Sequence, residues 1–104
     1  MAESVGFLEV YGLTAAFVAA DAACKAANVT IDAFDHNKPA NADALPVPLL
    51  VLVKMRGSIE DVKAAMEAGT QAAKKISGVA TTHVIARPQD DTEKLLKINS
   101  LMKK

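Results

Sequence analysis

The stretch LLVLVKMRGSIEDVKAAMEAG, residues 49–69, decides the fold. Residues 49–55 form a nearly continuous apolar run between Pro48 and Gly57, a pattern typical of a central strand buried on both faces. Ser58 then opens Ser-Ile-Glu-Asp, an N-cap residue followed by acidic residues that favour the positive end of a helix dipole. The stretch therefore predicts a buried strand that leads directly into a helix.

The helix after Ser58 is predicted to end near Ile76, because Lys74 and Lys75 suit a last turn and Gly78 lies just past it. Its apolar positions recur at helical spacing and comprise Val62, Met66, Gly69, Ala73 and Ile76. A glycine inside a helix costs about 1 kcal/mol relative to alanine. We therefore expect Gly69 to be explained by close packing of this helix on the sheet.

Two further elements are predicted before this stretch. Residues 5–11 are rich in β-formers and end at Gly12, so they predict the first strand. Residues 13–27 predict a helix, in which Asp21 and Lys25 form an i,i+4 pair. Its expected buried face consists of Leu13, Ala16, Phe17, Ala20, Cys24 and Ala27. Residues 29–34 alternate in polarity and predict a second strand with one face toward water.

The segment of residues 35–48 contains three of the four prolines and has no apolar period. It is predicted to be a loop, and loops of this length in a compact domain are usually functional or disordered. Residues 80–86 predict a fourth strand that stops at Arg87-Pro88, because proline lacks a ladder donor. Residues 89–104 predict a short amphipathic helix and a tail. The order β-α-β-β-α-β plus a C-terminal helix indicates an α/β (α+β) protein of the ferredoxin-like split type, with helices on one face of a sheet.

Composition narrows the class of function. With 12 basic and 12 acidic side chains the formal net charge is zero, so we expect no nucleic-acid partner. Cys24 is the only cysteine, which predicts a buried, inert thiol in a reducing cytoplasm. Residues 1–4 show no features of a signal peptide, and no apolar run reaches membrane-spanning length. We therefore expect a soluble protein without a membrane partner.

Catalytic motifs are missing from the sequence. It has no nucleophile elbow, no phosphate-binding glycine loop and no zinc-type histidine pair, and it contains only two histidines. His83 alternates with Thr81 and Ile85 on a predicted strand, without a cysteine or acidic residue at ligand spacing, and is interpreted as structural. We expect no enzyme activity, no cofactor and no resident metal.

Four segments in order carry a family resemblance: GFLEVYGLTAA (6–16), AADAACKAANV (19–29), RGSIEDVKAAMEAG (56–69) and HVIARP (83–88). Together they closely resemble the bacterial microcompartment (BMC) shell-protein family, in its single-domain, hexamer-forming type. The resemblance implies one BMC shell domain over residues 1–104, with a core of about residues 4–88 and a C-terminal helix and tail over residues 89–104.

The resemblance also implies an assembly. The expected product is a homohexameric flat tile with a central pore, packed edge to edge with other shell hexamers, trimers and pentamers around encapsulated enzymes in the cytoplasm. By motif, the residues expected at the contacts between hexamers are Lys25, Asn28 and Arg87. Arginine offers five donors in a planar fork, and a lysine stem can lie along an apolar edge, so their chemistry agrees with this role.

The chain departs from the family between the second and third strands, where the resemblance implies a short glycine-containing turn that lines the pore. Here residues 35–48 replace it, and the expected pore loop comprises Asp35, His36, Asn37, Lys38 and Pro39. Three arrangements follow. In the first, the loop narrows or plugs the pore. In the second, it folds aside and leaves a polar opening, which favours small polar or anionic metabolites if Lys38 faces inward. In the third, a ring of His36 with Asp35 or Asp43 binds a metal.

A different class of function is also compatible with this scaffold. The chain would then be a small-molecule-sensing regulatory module that binds a metabolite between subunits, with residues 35–48 as the lid. Dimers or trimers that gain stability on adding a metabolite, and never form sheets, would favour this alternative.

Overall fold

The computed structural model describes residues 3–37 and 49–97. Its elements are β1 Ser4–Tyr11, α1 Leu13–Ala26, β2 Thr30–Asn37, β3 Leu50–Gly57, α2 Ile59–Ile76, β4 Val79–Ile85 and α3 Asp90–Leu96. The four strands form one antiparallel sheet in the order β2-β3-β1-β4. The predicted α/β class, the β-α-β-β-α-β order and the short C-terminal helix are confirmed.

The main core lies between the two central strands and the helices α1 and α2. Leu8 and Val10 of β1 and Val51, Val53 and Met55 of β3 are fully buried there. The Ser58 hydroxyl accepts a hydrogen bond from the Asp61 amide at 3.1 Å, so the predicted N-cap of α2 is confirmed. The residues 49–69 thus supply both the central strand and one of the two helices that cover it.

The predicted buried face of α1 is wrong in detail. Phe17 is 60% exposed and Leu13 43% exposed, and the Cys24 thiol is exposed. The face that is buried consists of Ala15, Ala16, Ala19, Ala20 and Ala23. Because α1 is apolar on almost every side, its periodicity does not select a face, and the close approach of α2 selects the alanines. Ile76, at the end of α2, is likewise 51% exposed.

Gly69 of α2 occupies the point of closest packing. A Cβ atom there would lie 2.9 Å from Leu8 Cδ2 of β1 and 3.2 Å from the Ala19 carbonyl oxygen of α1. The predicted close packing on the sheet is therefore confirmed, and it extends to the neighbouring helix.

Strand β2 is longer than predicted. Asp35, His36 and Asn37 belong to the strand and pair with Leu52, Val51 and Leu50 of β3, so their prediction as loop residues is wrong. The hydrogen-bonding partners supplied by β3 outweigh the weak strand propensity of aspartate and asparagine. Lys38 and Pro39 lie outside the described residues.

The third helix lies on the other face of the sheet, whereas the sequence predicted all helices on one face. Side chains alternate along a strand, so Lys54 and Arg56 point away from the face on which Val53 and Met55 contact α1 and α2. Both contact α3.

Among the described residues, no helix is long and apolar enough to cross a membrane.

Candidate functional site

The residues predicted at the contacts between hexamers gather at one end of the sheet, called here the Ser4 end. Ser4 pairs with Gly57, and the Ser4 hydroxyl donates to the Ala86 carbonyl at 2.8 Å, directly before Arg87. Asn28 lies at the same end, because a Cβ at Gly57 would meet its carbonyl oxygen at 2.9 Å. Asn28 precedes β2 and Arg87 follows β4, which are the two outer strands, and both residues are exposed. They therefore occupy opposite flanks of one end.

Lys25 lies in the last turn of α1, shortly before Asn28. Its ammonium is 2.7 Å from the Asp21 carboxylate, which confirms the predicted i,i+4 pair, and its side chain is 75% exposed. The hydrogen bond that the Lys25 ammonium donates to the Asp21 carboxylate raises the pKa of Lys25 above its usual value. An exposed pair of this kind contributes little to stability, so Lys25 is available for a role outside the fold.

Asn37 and Leu49, which flank residues 38–48 in the sequence, lie at the opposite end of the sheet, called here the Tyr11 end. Asn37 and Tyr11 both pair with Leu50, and the Gly12 amide donates to the Leu49 carbonyl at 2.8 Å. Gly12 adopts a φ of 91°, which glycine tolerates without strain, and it turns the chain from β1 into α1. At about 3.3 Å per residue, the seven steps of β1 place the two ends about 23 Å apart.

The predicted pore residues within β2 do not share a face. His36 pairs with Val51, whose side chain belongs to the core cluster, whereas Asp35 points to the α3 face, where its carboxylate lies 2.5 Å from the Lys54 ammonium. Neighbouring strand residues with opposite directions cannot chelate one metal together within a chain. In the described part of the chain, no group of three or more histidine, cysteine or acidic side chains could hold a metal.

A charge cluster on the α3 face was not predicted. The Arg56 guanidinium forms a bidentate salt bridge with the Glu93 carboxylate of α3, with N–O distances of 2.9 Å and 2.5 Å. It also donates a hydrogen bond to the Asp32 carboxylate of β2. The Lys54 ammonium donates to the Leu96 carbonyl at 3.3 Å, besides contacting Asp35. An open cleft of about 460 Å³ borders the cluster.

The sequence did contain a signal for this cluster. Lys54 and Arg56 interrupt the apolar run of β3 at positions two apart, so they must lie on the same face of a strand. A buried ammonium needs a partner, and the neighbouring strand holds Asp32 and Asp35. The apolar residues on either side of Lys54 in the sequence obscure this signal.

The Arg56–Glu93 pair predicts that the docking of α3 on the sheet depends on pH. Hydrogen bonding to Arg56 lowers the pKa of Glu93 below its ordinary value of 4.5, and the same bond raises the pKa of Arg56. Because the pKa of Glu93 is lower when α3 is docked, its ionised carboxylate stabilises the docked helix fully at any pH above the ordinary pKa. This stabilisation is lost as the pH falls through the lowered pKa. Asp32 and Lys97 are further charged groups beside the pair, and Glu3 lines the same cleft.

We expect acidification below about pH 4.5 to shift the methyl NMR signals of Leu95 and Leu96 toward those of a released helix. Glu93→Gln is expected to show partial release already at neutral pH and a weaker response to acid. If the wild-type and Glu93→Gln proteins respond identically to acid, Glu93 is not the group that titrates.

A second groove, of about 320 Å³, lies between α2 and β4 beside His83. His83 is exposed, so it does not contribute to the core as a buried structural histidine would. The groove is also lined by charged and neutral polar side chains, namely Lys63, Glu67, Thr70, Gln71 and Thr82.

Comparison with known proteins places this geometry in a family context. The family model described as BMC domain matches residues 4–88. The bacterial microcompartment shell protein PduA of Citrobacter freundii is 42% identical over 94 residues, covering 90% of this chain and 91% of the relative. The carboxysome shell protein CcmK1 of Thermosynechococcus vestitus is 36% identical over 100 residues, covering 94% of this chain and 80% of the relative.

A solved structure supports the fold. A microcompartment protein from Desulfitobacterium hafniense superimposes with a TM-score of 0.71 at 20% sequence identity. The match covers all of this chain and 52% of the other, so this chain spans about half the length of that protein.

Proposed function

Because this chain belongs to the BMC-domain family, we propose that it is a structural shell protein of a bacterial microcompartment, assembled with other shell components and located in the shell. Its relatives PduA and CcmK1 are named as shell proteins, and the role assigned here is structural, not enzymatic. The finer proposal is that six copies form a flat tile, that tiles meet through Lys25, Asn28 and Arg87, and that residues 38–48 surround a central pore.

One observation supports the tile geometry: the proposed edge residues and the residues that flank the proposed pore segment lie at opposite ends of the sheet. Asn37 and Leu49, on either side of residues 38–48, lie at the Tyr11 end, and Asn28 and Arg87 flank the Ser4 end. If the Tyr11 ends of six chains faced a common axis, the Ser4 ends would form the perimeter. The same chain could then supply a pore at the centre and contacts at the rim.

The surface of α1 supports association with further copies. Phe17, Leu13 and Val18 are 60%, 43% and 38% exposed, although they are large apolar side chains. Phe17 also packs edge to face on Phe34 of β2, with ring centroids 5.0 Å apart. Clustered exposed apolar side chains mark surfaces that are buried in assemblies.

The pore would be bordered by polar strand ends. His36 and Asn37 are exposed and stand directly before residue 38. Six-fold repetition would turn each of them into a ring, which suits passage of small polar metabolites over apolar ones. The shell would further contain trimers and pentamers and enclose enzymes in the cytoplasm.

Mass photometry with negative-stain microscopy of the purified chain tests this function. We expect a species of six times the 10.9 kDa chain mass, and rings that pack into sheets or tubes. Persistent monomers across concentrations would contradict the shell role. Dimers or trimers that gain thermal stability on adding a metabolite, and never form sheets, would favour the regulatory module, whose structural support is the two open grooves.

A further inference from the structure

Lys54 is a buried charge in the middle of the sheet. It lies in the central strand β3 and is only 4% exposed. Lysine is rarely buried to this extent, because desolvating an ammonium costs several kcal/mol unless partners compensate. Its partners therefore indicate what the charge does.

Two contacts of Lys54 within the described residues come from distant parts of the chain. The Asp35 carboxylate, 2.5 Å from the ammonium, belongs to β2 two residues before that strand ends at Asn37. The Leu96 carbonyl, at 3.3 Å, belongs to the last residue of α3. Carbonyls at a helix C-terminus have no partner within the helix and carry partial negative charge, so they attract a cation.

Arg56 repeats this arrangement two residues further along β3. It bonds Asp32 of β2 and Glu93 of α3. Each of the two cations on the α3 face of β3 thus bridges the outer strand β2 to the C-terminal helix. Lys54 contacts β2 near its end at Asn37, and Arg56 contacts β2 nearer to the Ser4 end.

We propose that Lys54 is a positioning residue that couples the docking of α3 to the end of β2 from which residues 38–48 begin. When α3 leaves, Lys54 loses the Leu96 carbonyl and meets water, and its pair with Asp35 becomes a weak surface pair. Conversely, loss of the Asp35 charge removes a counter-charge from the Lys54 ammonium, and this makes its burial under α3 less favourable. Coupling of this kind is reciprocal. The inference rests on the proposed function only where it treats residues 38–48 as the pore segment.

Hydrogen exchange measured by mass spectrometry on the full chain tests the coupling. Leu96→Ala loosens α3 by removing a side chain that is 5% exposed. We expect it to raise the exchange rate of the amides of residues 35–37 about fivefold or more, although the substitution lies in another element. In the Lys54→Met background, which keeps an apolar stem, Leu96→Ala should leave these amides unchanged.

Two further variants separate the charge from general loosening. Asp35→Asn should raise exchange across Asp90–Leu96, and Asp35→Glu should restore protection because it keeps the carboxylate. Lys94→Met is the matched control, since it removes an exposed lysine paired at 3.5 Å with Asp91 of the same helix. It should leave residues 35–37 unchanged.

Several outcomes would overturn the proposal. Unchanged exchange at residues 35–37 in Leu96→Ala would remove the coupling, and this variant suffices if Lys54→Met does not fold. A Leu96→Ala effect that persists at full size in Lys54→Met would assign the coupling to another contact. Oligomeric state is measured on the same samples: persistent monomers would contradict the tile without affecting the exchange result, and hexamers without coupling would contradict Lys54 alone.

Discussion

Arg87→Ala protein is expected to form hexamers of normal mass and to give no sheets. Arg87 is exposed, lies two residues after the end of β4 and stands at the Ser4 end, away from the Tyr11 end. Each charged hydrogen bond that it makes across a tile edge would contribute about 1.5–3 kcal/mol, so its loss weakens every edge contact by about tenfold or more. Because a sheet needs contacts on all sides of a tile, the weakening of each contact is multiplied over the tile. Mass photometry reports the hexamer, and negative-stain microscopy reports the sheets.

Lys25→Asp should have the same outcome, since it reverses the charge of an exposed edge residue and removes its pair with Asp21. Lys94→Ala is the control: Lys94 is an equally exposed lysine, with 79% of its side chain accessible, but has no proposed role at the edge. Its sheets should resemble those of the wild type. Loss of the hexamer in Arg87→Ala or Lys25→Asp would show that these residues lie within the ring and not at the tile edge.

Gly69→Val is expected to lower the free energy of unfolding by about 2–3 kcal/mol, the cost typical of overpacking a tight core. Its Cβ would already lie 2.9 Å from Leu8 Cδ2 and 3.2 Å from the Ala19 carbonyl oxygen, and the added methyl groups have less room still. The backbone carbonyl cannot give way as a side chain can, so the two helices must separate. Thermal unfolding should show a midpoint lowered by about 10 °C or more.

Ala64→Val on the exposed side of α2 provides the matched control for this change. It introduces the same β-branched side chain, whose intrinsic helix cost is about 0.5 kcal/mol, without a packing clash. Both variants are compared at one protein concentration, because assembly makes the unfolding midpoint depend on concentration. A Gly69→Val protein as stable as Ala64→Val would contradict the packing explanation for this glycine.

Local signals predicted most of the elements. The apolar run of β3, the Ser58 cap and the spacing of α2 are properties of neighbouring residues, and the structure agrees with each. The resemblance of four ordered segments named the family, which the family model and the relatives confirm. The residues proposed at the tile edge came from that resemblance alone and remain a prediction.

The errors share a different cause. The buried face of α1 depends on where α2 approaches, and helical periodicity is uninformative when nearly every side is apolar. The end of β2 at Asn37 depends on its partner strand, because ladder hydrogen bonds form between elements distant in sequence. Neither could be read from residues close together in the chain.

The stretch of residues 49–69 shows where the division lies. By itself the sequence determined that a buried strand leads into a capped helix, because hydrophobic period and capping act over a few residues. Only the tertiary structure decided that Lys54 and Arg56 point away from that helix and bind α3, since their partners lie 19 to 42 residues away in the chain. Such partners meet only when the whole sheet has formed, and they link the C-terminal helix to the start of the segment proposed to surround the pore.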